Sequence, residues 1–361
     1  MDYSNPKLII ETADLEAGTV TWKSPSNLAI VKYWGKFGDQ LPKNPSISLT
    51  LENAFTETTL EYRPKETAGP GISLEFFFEE EPNPAFAQRI GAFLERLIPV
   101  FPFLPQLDLT IHSQNSFPHS AGIASSASSM SALALGLCSL EDNLFQTLND
   151  DQEFDRKASF VARLGSGSAS RSIFPYMAFW GQHSGVAGSS DQFAIPLENE
   201  IDPIFKTLHD DILILSKKEK AVASTKGHDL MNQHPFAESR YNQARQNIHF
   251  LLNALKSGDL EAFGRIAENE ALSLHGLMMS SNPGFFLLDP NTLTAIERVR
   301  NFREESKLPV YFSLDAGPNL HILYPESVIP EVRLFLESEL MPLCEDQVWI
   351  ADWAGEGPEQ V

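Results

Sequence analysis

The chain has 361 residues, of which 42% are apolar and 21% charged, a composition typical of a globular protein large enough for two domains. Its formal net charge of −21 offers no basic field to a nucleic acid or an anionic membrane surface, although a small phosphorylated ligand needs only a few well-placed cations. No stretch is apolar and long enough to span a bilayer, and the N-terminus lacks a signal-peptide pattern, so we expect a cytoplasmic protein.

Strand-like and helix-like patterns follow one another along the chain. Strands are predicted at Thr19–Trp22, Ile47–Leu51, Thr58–Tyr62, Ser73–Phe78, Leu107–Ile111, Ile173–Phe179, Ile212–Leu215, Val310–Leu314 and Leu320–Tyr324. Helices are predicted at Pro84–Ile98, Ser125–Leu137, Gln152–Arg163, Ala237–Lys256, Leu260–Met278, Pro290–Arg303 and Pro330–Leu340. Because strands cluster early and helices dominate later, the pattern favours an α+β fold over a doubly wound sheet.

Proline and acidic residues interrupt this pattern near Pro196–Pro203, which predicts domains at residues 1–200 and 201–361. The Gly/Ser-rich segment Gly181–Ser190 is expected to be an exposed hairpin or loop. Near the C-terminus, an apolar run could form a last strand, whereas Gly355–Val361 is expected to fray. The two cysteines, Cys138 and Cys344, have neither metal-ligand nor redox spacing and are expected to be buried thiols.

The segment Ser113–Ser129, SQNSFPHSAGIASSASS, joins a proline-marked turn to a run of small residues and then to an apolar helix. Small residues let a backbone approach a ligand closely, and the free N–H groups of a helix start attract anions, so the segment could cradle phosphate. The equally simple alternative is a helix start with capping serines. The residues that would line a phosphate site are Ser120, Gly122, Ser125, Ser126 and Ser128.

Three segments carry charged side chains next to glycine. In Ser26–Lys36, SNLAIVKYWGK, two lysines bracket an aromatic pair, which suits phosphate or carboxylate but also suits a strand end with surface lysines. In Arg163–Arg171, RLGSGSASR, a flexible Gly/Ser loop ends at an arginine that could bind an anion bidentately or simply face solvent. In Ser313–Asn319, SLDAGPN, Asp315 at a strand end could act as a base or cap its own turn.

A fourth segment, Ala223–Gly227 (ASTKG), could begin an anion-binding helix or show plain N-capping by its hydroxyl residues. The nine histidines are scattered and show no metal-ligand spacing, so most are interpreted as surface residues or satisfied interior residues.

Taken in this order, the motifs SNLAIVKYWGK, NPSISLTL, FPHSAGIASSAS, GSGSASRS and LDAGPN resemble those of the diphosphomevalonate decarboxylases of the GHMP kinase superfamily. The resemblance extends from about Thr19 to about Tyr324. It implies a GHMP kinase-type two-domain α+β fold, with a ribosomal S5 domain 2-like N-terminal half, a ferredoxin-like C-terminal half and a cleft between them. It further implies ATP and Mg²⁺, a homodimer, and conversion of (R)-5-diphosphomevalonate to isopentenyl diphosphate, CO₂, ADP and phosphate.

The resemblance also implies roles for individual residues. Asp315 matches the catalytic aspartate that acts on the 3-hydroxyl, Arg171 the arginine that holds the substrate carboxylate, and Lys32 the lysine near the transferring phosphoryl group. The loop around Ser120–Ser128 matches the ATP phosphate site, and no metal ligand is predicted. The positions that match substrate-binding residues are Asn27, Tyr33, Trp34, Lys36, Ser166, Gly167 and Ser224.

Three alternatives to this function are compatible with the same fold. A mevalonate or phosphomevalonate 3-kinase of the same fold would typically lack the aspartate, lysine and arginine set that Asp315, Lys32 and Arg171 supply here. A phosphomevalonate decarboxylase would use a substrate with one phosphate fewer. A silent ligand-binding homologue is disfavoured because buried charges without a ligand are costly.

Overall fold

The computed structural model describes residues 3–11, 16–66, 69–118, 123–217 and 224–361, which form fourteen strands and eight α-helices. The strands are β1 (Gly18–Val31), β2 (Lys36–Phe37), β3 (Leu41–Pro42), β4 (Ser46–Pro64), β5 (Ser73–Phe78), β6 (Glu81–Pro82), β7 (Leu107–Asn115), β8 (Met177–Trp180), β9 (Ala194–Pro196), β10 (Leu208–Leu213), β11 (Tyr311–Ser313), β12 (Leu320–Pro325), β13 (Trp349–Ile350) and β14 (Glu359–Gln360). The helices are α1 (Pro84–Leu97), α2 (Ser125–Phe145), α3 (Asp151–Gly165), α4 (Ser224–Leu230), α5 (Ala237–Ser257), α6 (Leu260–Ser280), α7 (Pro290–Ser306) and α8 (Ile329–Phe335).

Two sheets carry the two halves of the chain. The N-terminal sheet has the order β14-β1-β4-β7-β5-β6, and β8 and β9 extend it from β4. All of its pairs are antiparallel except β5 with β7, which is parallel. The C-terminal sheet is antiparallel with the order β11-β12-β10-β13. Strands and helices are therefore segregated as the predicted α+β class requires.

Apolar side chains form a separate core on each side of the N-terminal sheet. One core packs α1, α2 and α3 against it and includes Leu94, Leu133 and Phe160. A second core joins the halves, because it contains Leu28 and Ile30 of β1 together with Ile212, Ile248 and Phe263. Burial on both faces explains why β1 is buried continuously over residues 24–31, so its end is held rigidly where the site residues begin.

The predicted helices are confirmed, although α2 extends to Phe145 rather than to Leu137, and several strand predictions need correction. The predicted strands Thr19–Trp22 and Ile212–Leu215 overlap β1 and β10, whose bounds differ from the predicted ones. The segments Ile47–Leu51 and Thr58–Tyr62 belong to one long strand, β4, rather than to two. The predicted strand Ile173–Phe179 begins only at Met177, because Gly167–Ile173 is a 3₁₀ helix and Tyr176 adopts a φ of 53°. The Gly/Ser-rich segment 181–190 connects β8 and β9 as a hairpin.

The prediction that Gly355–Val361 frays is wrong. Trp349–Ile350 forms the expected last strand of the C-terminal sheet, but the chain then returns to the N-terminal sheet, where Glu359 and Gln360 pair with Lys23 and Trp22. The Asp352 carboxylate fixes this return, since it accepts hydrogen bonds of 2.8 Å from the backbone N–H groups of Glu52, Asn53 and Ala54. None of the described helices has a stretch long and apolar enough to cross a membrane.

Asp211 on β10 is expected to make folding stability depend on pH. Its carboxylate is buried and accepts a hydrogen bond from the Tyr324 hydroxyl, while Oδ1 has no partner among the described residues. Burial raises the pKa of Asp211 from 3.8 to about 7, against the opposing effect of the Tyr324 bond. Because the pKa of Asp211 is higher in the folded than in the unfolded protein, protonation of Asp211 stabilises the fold. This contribution to stability is complete below pH 4 and is lost as the pH rises through about 7.

We therefore expect the free energy of unfolding of the wild-type protein to fall, relative to Asp211→Asn, by up to about 1.4 kcal/mol per pH unit between pH 4 and 7. Urea denaturation of both proteins at intervals of one pH unit measures this difference. Asp39→Asn, at a side chain that is 80% exposed, is the matched control and should show no such trend. A difference between wild type and Asp211→Asn that stays constant with pH would contradict the prediction.

Candidate active site

Lys32 and Asp315 form an ion pair between the two halves of the chain. Lys32 follows β1 and Asp315 follows β11, and Nζ of the lysine lies 2.9 Å from Oδ1 of the aspartate. The lysine side chain is 3% exposed whereas the aspartate side chain is 23% exposed. The carboxylate is therefore the accessible member of the pair, and the ammonium lies behind it with its charge compensated.

A buried carboxylate fixes the backbone of Lys32. Glu270 of α6 accepts a 2.8 Å hydrogen bond from the Lys32 N–H and is clamped by the guanidinium of Arg240 and by Asn247. Arg240 also donates to the Lys32 carbonyl at 3.3 Å, as does Asn44 at 3.0 Å. With both backbone polar groups of Lys32 bonded, the position of its side chain is determined by the protein interior rather than by solvent.

His275 of α6 supports Asp315 from the other side. Its Nε2 lies 3.1 Å from the main-chain carbonyl oxygen of Asp315, which can only accept, so Nε2 carries the proton. Burial lowers the pKa of His275 to about 4, and the positive charge of Lys32 adds to this effect. At neutral pH the imidazole is therefore an uncharged support for the turn that presents the Asp315 carboxylate.

Arg171 is held by three side chains in a fully buried position. Its Nε donates to Ser48 at 2.9 Å, its Nη1 to Ser46 at 2.7 Å and its Nη2 to the Asn27 side-chain oxygen at 3.3 Å. Burial lowers its pKa to about 10, while the nearby charge of Asp315 opposes that shift, so the guanidinium stays charged at neutral pH. Because a guanidinium has five N–H donors, two remain after these contacts for a ligand.

The other residues predicted to bind substrate differ in whether their polar groups already have a partner in the protein. Asn27 bonds Ser168 and Ser172 through its amide nitrogen, so its whole side chain serves to position Arg171. Tyr33 and Trp34 are buried, and neither the Tyr33 hydroxyl nor the Trp34 indole nitrogen has a partner among the described residues. The Lys36 ammonium is bonded to Gln40 at 3.0 Å on a half-buried side chain.

Gly167 and Ser166 place the GSGS loop close to these aromatic residues. A Cβ atom at Gly167 would lie 2.8 Å from the Trp180 ring and 2.9 Å from the Tyr33 ring, so only glycine fits there. The Ser166 hydroxyl lies 3.3 Å from that of Ser126 at the start of α2. The loop therefore bridges the aromatic residues and the predicted phosphate segment.

The start of α2 has the features expected of a phosphate site where the structure describes it. Ala124 adopts a left-handed conformation with a φ of 35°, and among the described residues no side chain caps the helix, as a phosphate site at its first N–H groups requires. Ser125 is half-buried and Ser126 is exposed, whereas Ser128 is fully buried and its hydroxyl bonds Thr56 on β4. Ser120 and Gly122 lie outside the described residues.

A cavity of about 250 Å³ opens beside the start of α2. Aromatic rings and side chains with hydroxyl or amide groups both line it. The cavity lies on the Ser126 side of the Ser126–Ser166 contact, and neither Lys32, Arg171 nor Asp315 lines it. The lining residues are Thr58, Phe76, Phe78, Phe86, Arg89, Ile90, Ile111, Ser113, Asn115, Ser125, Ser126, Ser129, Met130 and Leu133.

Within the described ranges, no group of three or more His, Cys, Asp or Glu side chains could hold a metal ion. A magnesium ion bound through nucleotide phosphates would not need such a group, since Mg²⁺ commonly takes few protein ligands and keeps several waters. The Ser224 side chain, predicted to bind substrate, lies outside the described part of the structure, although its backbone begins α4.

Two family models match this chain over most of its length. Residues 24–194 match the diphosphomevalonate decarboxylase-like N-terminal domain, and residues 211–353 match the mevalonate 5-diphosphate decarboxylase C-terminal domain. The chain belongs to the diphosphomevalonate decarboxylase family. The family resemblance inferred from the five ordered motifs is thereby confirmed.

Curated members of the family include enzymes with two different names. The diphosphomevalonate decarboxylase of Gibberella zeae is 29% identical, over 87% of this chain and 83% of its own length. The phosphomevalonate decarboxylase of Haloferax volcanii is 30% identical, over 84% of this chain and 87% of its own length. The names of these relatives therefore leave the number of substrate phosphates open.

Solved structures of family members confirm the predicted two-domain GHMP kinase-type fold. The mevalonate diphosphate decarboxylase of Staphylococcus aureus superposes with a TM-score of 0.82 at 26% identity, covering 97% of this chain and all of that one. The structure of MDDEF in complex with MVAPP, the ATP analogue AMPPCP and magnesium has a TM-score of 0.80 at 28% identity, covering 96% of this chain and 99% of that one.

Sequence reasoning missed several residues that hold the site together. Ser46 and Ser48 anchor Arg171, and Glu270 and Arg240 anchor Lys32. The alternation of serine with apolar residues in NPSISLTL was a usable signal for the first pair, because it places both hydroxyls on one face of a strand. Glu270 and Arg240 had no comparable signal, since charged residues on a helix usually face solvent.

Proposed function

We propose that this protein catalyses the ATP-dependent decarboxylation of (R)-5-diphosphomevalonate to isopentenyl diphosphate, CO₂, ADP and phosphate. The observation that carries the proposal is the Lys32–Asp315 pair of 2.9 Å, with the charged Arg171 buried in the same electrostatic environment. These are the three residues that the family motifs assign to catalysis, and membership of the family supports the same reaction. A binding protein without catalysis would have no use for an accessible carboxylate backed by a buried ammonium.

Phosphoryl transfer is the first step, because a tertiary alcohol is a poor leaving group until it is esterified. Asp315 would accept the proton of the 3-hydroxyl while the oxygen forms a bond to the terminal phosphorus of ATP and the bond from that phosphorus to ADP breaks. The ammonium of Lys32 would offset the negative charge that gathers on the transferring group. Magnesium bound to the nucleotide phosphates would supply further charge neutralisation.

Decarboxylation is the second step. The C3–O bond breaks as phosphate leaves, the bond between the carboxyl carbon and C2 breaks as CO₂ leaves, and that electron pair forms the C2–C3 double bond. Arg171 would hold the carboxylate through its two remaining donors, since Ser46, Ser48 and Asn27 occupy the other three. Once Asp315 has released the proton of the 3-hydroxyl to solvent, its carboxylate would stabilise positive charge that develops at C3.

The nucleotide is placed on the α2 side of the site. We propose that its phosphates contact the uncapped start of α2 near Ser125 and Ser126, and that its base and sugar occupy the neighbouring cavity with aromatic walls. The contact between Ser126 and Ser166 would bring the terminal phosphate toward the loop that leads to Arg171. Ser128 is not part of this proposal, because its hydroxyl is bonded within the protein interior.

The test is incubation of the purified protein with ATP, Mg²⁺ and each of mevalonate, its 5-phosphate and its 5-diphosphate, with CO₂ and ADP measured separately. We expect equal amounts of CO₂ and ADP with the 5-diphosphate. ADP without CO₂ would identify a 3-kinase instead, and neither product would identify a silent homologue. CO₂ from the 5-phosphate alone would favour the second candidate function, phosphomevalonate decarboxylase, which the likeness to the Haloferax volcanii enzyme supports.

We also propose a domain division at residue 200, a homodimer and a cytoplasmic location. The division is supported by the separation of the two sheets, with the exception that β14 belongs to the N-terminal one. The location is supported by Cys138 and Cys344, which are both buried free thiols. The homodimer is supported by family resemblance, and light scattering of the purified protein measures it directly.

A further inference from the structure

His228 of α4 contacts the segment that leaves β1 and carries the site lysines. Its Nδ1 lies 3.0 Å from the backbone nitrogen of Gly35, and its ring packs between Tyr33 and Trp34 at centroid distances of 4.4 and 4.6 Å. Gly35 adopts a φ of 88°, and a Cβ atom there would collide with the Tyr241 hydroxyl, so the turn needs glycine. The histidine thus links the C-terminal half to the tightest turn of the substrate segment.

The contact with Gly35 determines where the imidazole proton lies. A backbone N–H can only donate, so Nδ1 accepts and the proton sits on Nε2. Burial lowers the pKa of His228 to about 3, and the positive charge of Lys36 lowers it further, so the ring is neutral at any working pH. His228 is 8% exposed, and its Nε2 is not one of the described buried polar atoms that lack a partner, so this N–H is not sealed in the protein interior.

An N–H donor in such a position is suited to a ligand. Beside it, the Tyr33 hydroxyl and the Trp34 indole N–H are buried without partners in the described part of the chain. Leaving such buried donors without partners is unfavourable unless a ligand binds them. Together with the Lys36 ammonium, these groups offer donors and one positive charge but no carboxylate, which is the character of an anion site.

Two observations indicate which anion this is. None of the residues that contact His228 lines the cavity beside α2, so the donor is not on the proposed nucleotide side. Arg171, with its two remaining donors, is assigned to the substrate carboxylate. The anion left for His228 and Lys36 is the phosphate-bearing end of the substrate.

We propose that His228 is a specificity-determining residue that donates its Nε2–H to the terminal phosphate groups of the mevalonate substrate while its Nδ1 holds the Gly35 turn. This inference depends on the proposed function, because it names the group that recognises one end of that substrate. It assigns the two nitrogens of one ring to separate tasks, and each task can be removed without the other.

Two substitutions separate these tasks. In His228→Asn, the side-chain oxygen can replace Nδ1 as the acceptor for Gly35, but nothing replaces Nε2. In His228→Gln, the longer amide can place a donor where Nε2 was, but the acceptor position is lost. Calorimetric titration with 5-diphosphomevalonate in the absence of ATP gives the substrate Kd, and thermal unfolding gives the Tm of each variant.

We expect the ranking of the two variants by Tm to be the opposite of their ranking by substrate affinity. His228→Asn should keep a Tm close to that of the wild-type protein and bind the substrate roughly 10-fold or more weakly, while His228→Gln should have the lower Tm and the smaller loss of affinity. The KM for ATP should be unchanged in both. A merely structural histidine would make affinity follow Tm, and that result, or wild-type affinity in His228→Asn, would overturn the proposal.

The wild-type protein distinguishes this outcome from failure of the proposed function. If the wild-type protein releases CO₂ from 5-diphosphomevalonate but His228→Asn binds that substrate normally, only the role of His228 is wrong. If the wild-type protein binds neither 5-diphosphomevalonate nor 5-phosphomevalonate, the proposed function fails and the role of His228 fails with it.

Discussion

Asp315→Asn is expected to lower kcat by roughly 10³-fold or more while leaving the Kd of the mevalonate substrate within a few fold of that of the wild-type protein. Asparagine keeps the shape of the side chain and can still face the 3-hydroxyl, but it cannot accept its proton. The remaining effect is on Lys32, whose buried ammonium loses the negative charge of its partner at 2.9 Å. Single-turnover ADP release and calorimetric substrate binding measure the two quantities separately.

A matched substitution controls for the loss of an ion pair as such. Asp346 pairs with Lys217 at 2.8 Å on the surface, where its side chain is 70% exposed. Asp346→Asn should leave kcat and substrate Kd unchanged. Near-normal kcat in Asp315→Asn would remove Asp315 from its role as base, and a large loss of substrate affinity would indicate that the carboxylate mainly shapes the site.

Arg171→Lys is expected to reduce kcat/KM by about 10² to 10³-fold, with CO₂ release affected together with ADP release. A lysine has one nitrogen, which cannot bond Ser46, Ser48 and Asn27 and also bind a carboxylate through two parallel donors. The shorter reach of the ammonium also leaves one or more of these polar groups without a partner. Steady-state kinetics with the mevalonate substrate varied at saturating ATP measures the loss.

Arg303→Lys is the matched control for this substitution. Arg303 is a partly buried arginine that bonds Glu268 and the Val310 carbonyl, away from the site residues. We expect it to change the Tm more than the kinetics. If Arg171→Lys retained wild-type kcat/KM, the carboxylate of the substrate would have to be held elsewhere.

Local patterns predicted individual elements of this fold better than the connections between them. The strand Ser73–Phe78 has the predicted bounds because its apolar and β-branched or aromatic residues agree with its final environment. By contrast, β1 extends from Gly18 to Val31 through the sequence SPSN, which resembles a loop. Pairing with β4, with register shifts at Pro25–Asn27 and Ala29–Val31, overrides that local preference.

The sequence predicted the candidate catalytic residues better than it predicted the residues that hold them in position. Lys32, Arg171 and Asp315 lie in short motifs whose residue types predict the reaction, and the structure brings Lys32 and Asp315 into contact across 283 residues. The hydrogen bonds that hold these residues in position come mostly from distant parts of the chain. Glu270 contacts Lys32 from a distance of 238 residues, and no local pattern of helix α6 distinguishes that glutamate from a solvated one.

His228, to which we assign a role in substrate recognition, shows the same limit. The scattered histidines show no metal-ligand spacing, so the sequence predicts that most are surface residues or satisfied interior residues. The significance of this one depends on a single backbone donor, Gly35, nearly two hundred residues earlier in the chain. Only the three-dimensional arrangement shows which ring nitrogen is used and which remains.

The return of the chain end to its starting sheet constrains how the two halves can move. After β13 the polypeptide returns to the N-terminal sheet. There Asp352 accepts hydrogen bonds from the Glu52–Ala54 backbone, and β14 pairs with β1. The halves are therefore tethered twice, once by the segment before β10 and once by the tail. Two connections allow the halves to bend about the line that joins the connections, but they oppose rotation of one half against the other. They also couple the unfolding of one half to that of the other.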